Sequence, residues 1–212
     1  MTKYQNTKTW LEPVRIYDPG FSSAIEAIHR AICLADDIAD RVEKPSKVSR
    51  CLWEGMAGVS RVFKTRPSDA ERIIPVLCQI YESECLNMEF RPGCFDLETE
   101  FGIWEKRSSL LNLYFKAWTI VDPTFDTEEN WKWLKKFSKF CLIHNDCDDI
   151  IDERFEDLHQ CRRNYVVFQF GTDAYFGWQK IKDQLVSRAK EIKKSLEIED
   201  PSDERMKAFM RG

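Results

Sequence analysis

The chain carries two aspartate clusters, Asp36-Asp37-Ile38-Ala39-Asp40 and Asp148-Asp149-Ile150-Ile151-Asp152, each closing a long apolar-periodic stretch. Each places carboxylates at i, i+1 and i+4. Residues i and i+4 share a helix face, so Asp36 projects with Asp40, and Asp148 with Asp152. Like charges at that spacing resist burial unless a cation neutralises them, and in a last helical turn they also oppose the helix dipole. Mg²⁺ suits that task, because it takes oxygen ligands and is commonly held by one or two carboxylates plus substrate phosphates. Two such patches facing each other across a helical cavity would clamp a diphosphate. An acidic run on a helix is also often plain wetted surface. The recurrence of one arrangement after both Ile32-Cys33-Leu34-Ala35 and Phe140-Cys141-Leu142-Ile143 favours the chemical reading.

The second cluster admits another register. Asn145, Asp149 and Glu153 are spaced four apart, offering one cation an amide oxygen and two carboxylates from a single helical stripe. Between the clusters, Lys106 and Arg107 precede Ser108-Ser109-Leu110-Leu111; a basic group aimed into a cavity holds diphosphate and favours its departure. Arg162, Arg163, Asn164 and Tyr165 follow the second cluster and would close over the phosphates. Either basic group also reads as an exposed charged turn.

The elements that must position these residues are helical almost throughout. Phe21, Ala24, Ile25, Ile28, Ala31, Ile32 and Ala35 recur at 3–4 spacing, predicting a helix over 21–42. Further helices are expected near 47–64, 69–90 (with Pro75 as a kink), 96–121, 127–157 (one or two) and 172–197. No alternating strand, glycine-rich phosphate loop or repeat is visible. The expectation is an all-α fold, a single-domain antiparallel bundle over 21–198, with an N-terminal segment 1–20 and a flexible tail 199–212.

Composition narrows the class. At 212 residues one domain with a sizeable core is expected, and seven Trp and fourteen Phe suit the lining of a cavity. A net charge of -4 argues against general nucleic-acid binding. No apolar run is long enough for a transmembrane helix, and the polar start Met1–Thr9 does not read as a signal peptide. Eight cysteines lie scattered without a Cys-x-x-Cys pair, which reads as reduced core thiols of a cytoplasmic protein rather than a zinc site.

Together these residues resemble the class I isoprenoid synthases, which include terpene cyclases and trans-prenyl diphosphate synthases. Asp36–Asp40 resembles the first aspartate-rich motif of that family, and Phe140 through Asp152 resembles the helix of its second metal motif. Glu84-Cys85-Leu86-Asn87-Met88-Glu89 occupies the place of a polar-apolar segment between them. Lys106, in Trp104-Glu105-Lys106-Arg107-Ser108-Ser109-Leu110, resembles the family's diphosphate-contacting basic residue. The resemblance covers roughly residues 21–170. It implies a helical bundle around a central cavity, Mg²⁺ (up to three ions, with diphosphate) as cofactor, and an allylic diphosphate as substrate. Asp36, Asp37, Asp40, Asn145, Asp148, Asp149, Asp152 and Glu153 would hold metal, and Lys106 and Arg107 would assist ionisation. Arg162, Arg163 and Tyr165 would contact substrate, while Trp53, Tyr81, Phe101, Trp104, Tyr114 and Phe115 would line the pocket.

The departures point within the family. No Gly-Gly-Lys-Arg-type segment lies upstream, and Arg41-Val42-Glu43-Lys44 does not supply the basic pair that follows the first motif in chain-elongating members. Asn145, Asp149 and Glu153 instead resemble the Asn/Ser/Glu triad of terpene cyclases, with Asp at the middle position. The expected activity is therefore a Mg-dependent terpene synthase, with chain elongation using isopentenyl diphosphate as the alternative. The chain is short for the family, so a helix or two around the cavity would be missing or supplied by a second copy or a partner subunit. Two rivals remain open. Glu26-Ala27-Ile28-His29 and Glu156-Asp157-Leu158-His159 both have the Glu-x-x-His spacing of four-helix di-iron proteins, with Glu84 and Glu105 as further ligands. A non-catalytic subunit that keeps the fold is the other.

Overall fold

Pro19-Gly20 opens a long early helix, and Asp18 immediately before it supplies the cap. The Asp18 carboxylate accepts the Phe21 N–H at 2.9 Å and the Arg66 Nε–H at 2.7 Å. Burial works to raise the Asp18 pKa, but those two donors outweigh it and hold the carboxyl below its usual range. The computed structural model describes residues 10–39, 47–88, 96–107, 110–155, 158, 163–171 and 173–198. Its elements are α1 (Glu12–Tyr17), α2 (Pro19–Ala39), α3 (Val48–Thr65), α4 (Pro67–Met88), α5 (Leu97–Glu105) and α6 (Leu111–Val121). A 3₁₀ turn (Pro123–Phe125) leads into α7 (Glu128–Ile151), followed by α8 (Tyr165–Phe168) and α9 (Ala174–Gly177). A 3₁₀ turn (Trp178–Ile181) and α10 (Lys182–Ile198) complete the series. The fold is all-α, and no strand occurs among the described residues.

These elements fall into two compact units, one running to Cys78 and including Leu110–Leu134, the other containing Gln79–Ser109 and Lys135 onward. In the first unit α2 and α3 pair antiparallel. Cys51 Sγ meets the Ala31 carbonyl at 3.2 Å, while Gly58 lies against Ile28 and Ala24. A Cβ at Gly58 would stand 2.8 Å from Ile28 Cγ1, 2.9 Å from the Ile28 backbone N and 3.0 Å from the Ala24 carbonyl. Glycine is needed there because of backbone approach, not backbone angle. Phe21, Ala24, Ile25 and Ile28 are buried from α2, with Leu113, Tyr114, Phe115, Ala117 and Trp118 buried from α6. Leu11, just before α1, and Val14 within it are also buried, so this short helix, absent from the sequence expectation, belongs to the packed structure.

In the second unit the lower half of α7 is the spine. Ile143, Cys147 and Ile150 face a core of Trp104, Leu158, Val166, Val167, Phe168, Tyr175, Leu185 and Ala189. That stripe follows the i, i+4, i+7 pattern of an amphipathic helix.

Two expectations change. The helix expected over 96–121 is two helices, separated by a turn at Lys106 whose N–H, with that of Arg107, bonds three residues back. The break precedes Ser108-Ser109, residue types that compete with helical hydrogen bonding. The final helix expected over 172–197 begins instead as α9 and a 3₁₀ turn before α10. Pro75 does lie inside α4.

Gly58→Ala should lower stability by about 1–2 kcal/mol, because forced backbone separation outweighs the helix-propensity gain of about 1 kcal/mol. Urea unfolding would measure it; a stabilised variant would show that the α2–α3 approach is looser than described.

Candidate functional site

The second aspartate cluster forms the C-terminal turn of α7, and its carboxylates are already engaged. Asp148 meets Lys193 Nζ at 2.5 Å and His144 Nδ1 at 3.2 Å. Asp149 accepts from Arg154 Nε at 2.9 Å and from Asn145 Nδ2 at 3.1 Å, and Asp152 pairs with Arg154 Nη1 at 3.1 Å. Burial works against the Arg154 charge, but Asp149, Asp152 and Asp148 overcome it and raise the guanidinium above its ordinary pKa.

Glu153 does not continue the Asn145–Asp149 stripe. The helix ends at Ile151, and Glu153 adopts φ +58°, the left-handed conformation that closes helices. Its N–H bonds the Ile150 carbonyl at 3.3 Å, and the Arg154 N–H bonds the Asp149 carbonyl at 2.7 Å, the double pattern of a Schellman end. Its side chain leaves the stripe for Lys182 Nζ at 2.7 Å. The three-member register therefore reduces to Asn145 and Asp149 on the helix.

A residue passed over in the sequence reading organises this region. Asp146 is fully buried. Its Oδ2 accepts from Trp104 Nε1 at 2.9 Å and from the Tyr165 N–H at 2.7 Å, while Oδ1 accepts from Arg107 Nη1 at 3.1 Å. Its carbonyl accepts from Asn164 Nδ2 at 3.2 Å. Asn164 in turn caps α8 through Val166 N at 2.9 Å and Val167 N at 3.4 Å, and donates its own N–H to Tyr175 Oη at 3.1 Å. One buried carboxylate thus ties α7 to the end of α5 and the start of α8. Its legible signal was an aspartate within the apolar stripe Ile143, Cys147 and Ile150. Beside it, burial first and then the Asp146 and Asp148 charges push the Cys147 thiol up to about 12, so it is no nucleophile at neutral pH.

The other expected site residues divide. Lys106 is exposed on the turn after α5; Arg107 is largely buried and directed at Asp146, a structural partner rather than an open cavity. Arg163 is buried and donates to the Leu86 carbonyl at 2.6 Å, whereas Arg162 lies outside the described residues. Tyr165 packs on Trp104 with ring centroids 5.1 Å apart, and Phe101 stacks on Trp104 at 5.5 Å. These rings fill core space instead of lining a pocket. Tyr81 and Trp53 are exposed, while Tyr114 and Phe115 are core of the first unit. In that unit an apolar dimple over Ile28, Val62 and Ile73 holds about 10 Å³, roughly one water and far below a ligand pocket of several hundred Å³.

The first cluster belongs to the first unit: Asp36 and Asp37 lie near the end of α2, and Asp40 lies outside the described residues. For the di-iron pattern, buried His29 instead pairs with Cys33 Sγ at 2.9 Å, Glu26 faces Arg30 at 3.9 Å, and Glu105 is bound by Lys139. Glu156 and His159 lie outside the described residues. Among the described residues no group of three or more His, Cys, Asp and Glu is arranged as a metal cluster. Of the donor set itself, Asn145, Asp148, Asp149 and Asp152 offer only oxygen toward a cation, which suits Mg²⁺ and not zinc or copper. Binding would require Arg154 and Lys193 to yield those oxygens.

Asp146→Ala should destabilise by about 3–5 kcal/mol, because it strands the buried Arg107 charge, and Trp104→Phe by about 1–3 kcal/mol. Denaturant titration would check both. Glu153→Gly should raise stability by about 1 kcal/mol by relieving the left-handed residue; thermal melting would check it. Compared with known proteins, the chain matches no family model, no curated protein and no solved structure.

Proposed function

We propose that the chain is a Mg-dependent class I terpene synthase that ionises an allylic isoprenoid diphosphate and quenches or cyclises the resulting cation. One observation carries this reading. The Arg107–Asp146 hydrogen bond at 3.1 Å ties the Lys106–Arg107 turn to the helix that bears Asn145, Asp148 and Asp149 and that Asp152 directly follows. Cationic and acidic groups are thus anchored in one unit, an arrangement that would serve diphosphate ionisation.

Bound Mg²⁺ would neutralise charge on the departing diphosphate. Asn145, Asp148, Asp149 and Asp152 would hold it within the second unit. Arg154 and Lys193 screen the same carboxylates without metal, which lets three acidic side chains share one helix end. Once displaced, these cations become donors for phosphate oxygens, alongside exposed Lys106. Arg107, held by Asp146, fixes the turn from which Lys106 extends. Chain elongation is the second reading within the same chemistry and would need a basic site for isopentenyl diphosphate.

The test is incubation with Mg²⁺ and geranyl, farnesyl or geranylgeranyl diphosphate, with and without isopentenyl diphosphate, followed by mass spectrometry. A hydrocarbon or terpene alcohol from one allylic substrate is expected. It should be abolished by chelation and reduced about a hundredfold or more by Asp149→Ala. A longer diphosphate made only with isopentenyl diphosphate would assign elongation, and absence of turnover with every substrate would overturn both.

A further inference from the structure

Helix α3 buries one edge against α2 and leaves the next edge bare. Val48, Leu52, Met56, Val59 and Phe63 recur at spacings of four, four, three and four, which sets them on one stripe of a 3.6-residue helix. Leu52 is 60 % exposed, Met56 67 % and Phe63 48 %, and Trp53, at the margin of the stripe, is 74 % exposed. Neighbouring Ile74 of α4 is also exposed and continues the patch across the dimple beside Phe63. Isolated apolar side chains on a surface are ordinary, but a continuous run of this size marks an interaction face.

The charges around it name the occupant. Round the helix from Trp53 come Lys64, Arg50 and Arg61, all exposed. Arg50 pairs with Glu54 at 2.8 Å and Arg66 with Asp18 and Asp69, so Arg61 and Lys64 carry the excess positive charge beside this face, in a chain whose net charge is -4. Leucine, tryptophan, methionine and phenylalanine on one side with lysine and arginine on the next is the composition of a helix that lies in a membrane interface. No described helix is long and apolar enough to cross a membrane, so this would be contact from one side. A second copy fits less well. An antiparallel pairing centred on Met56 would set Lys47 and Arg50 of one copy beside Lys64 and Arg61 of the other, like charge on like, whereas anionic headgroups complement all four.

We propose that the α3 face formed by Leu52, Trp53, Met56 and Phe63, with Arg50, Arg61 and Lys64 at its rim, docks the protein on an anionic lipid surface. This does not depend on the reaction proposed above. The test is co-sedimentation with phosphatidylcholine vesicles and with mixed phosphatidylcholine–phosphatidylserine vesicles. Binding is expected only to the mixed vesicles and should weaken with salt. Arg61→Gln with Lys64→Gln should reduce partitioning by about 30-fold, and Leu52→Glu with Met56→Glu by at least about a hundredfold. These side chains are exposed, so circular dichroism and melting should match the parent for both variants. Equal binding to both vesicle types, binding to neither, or binding that survives Leu52→Glu with Met56→Glu would overturn the proposal. So would a concentration-dependent dimer in ultracentrifugation that the same variant dissociates, which would give the face to a second copy.

Discussion

A carboxylate removed from water must be compensated where it stands, and in the second unit that requirement falls on Asp146. Its two oxygens take an indole N–H, a guanidinium and a backbone N–H from segments separated in sequence by 19 to 42 residues. Solvent compensates none of it, since the residue is wholly buried. The end of α5, the lower half of α7 and the start of α8 therefore have one arrangement that satisfies the charge, and slippage of any of them would leave it exposed to a low dielectric. The aromatic packing of Phe101, Trp104, Tyr165 and Phe168 follows from that registration as much as it reinforces it.

The acidic end of α7 obeys a different rule. Its carboxylates are partly or fully exposed, and each has a basic partner within reach, so they can exchange one cation for another at modest cost. The unit thus combines a permanent charge pair in its interior with replaceable pairs at its rim. Ion exchange at the rim need not disturb the interior, because the two sets of partners are distinct residues.

The helical character of the chain was legible because its apolar spacing is regular: Phe21 to Ala35 marks α2, and Ile143, Cys147 and Ile150 mark α7. Breaks were less legible. The Ser108-Ser109 pair after Lys106-Arg107 is only a weak local signal for a turn; the Arg107–Asp146 pairing accompanies the interruption there. Glu153 was misplaced because spacing alone assumes that the helix continues, whereas a left-handed residue at 153 ends the stripe. Asp146 was overlooked among four acidic neighbours, since composition groups residues that burial separates. Helical spacing also does not say whether a ring meets space or another ring, and Phe101, Trp104 and Tyr165 meet one another.

The burial of Cys147 has a consequence for how this protein would age in an oxidising milieu. Peroxide and disulfide reagents attack thiolate, and a thiol held near 12 presents only about one thiolate in 10⁵ molecules at neutral pH. The sulfur adjoining the acidic turn is thereby inert, while exposed Cys78 in the first unit is open to attack. Oxidation of Cys78 would fall in a segment far along the chain from those carboxylates.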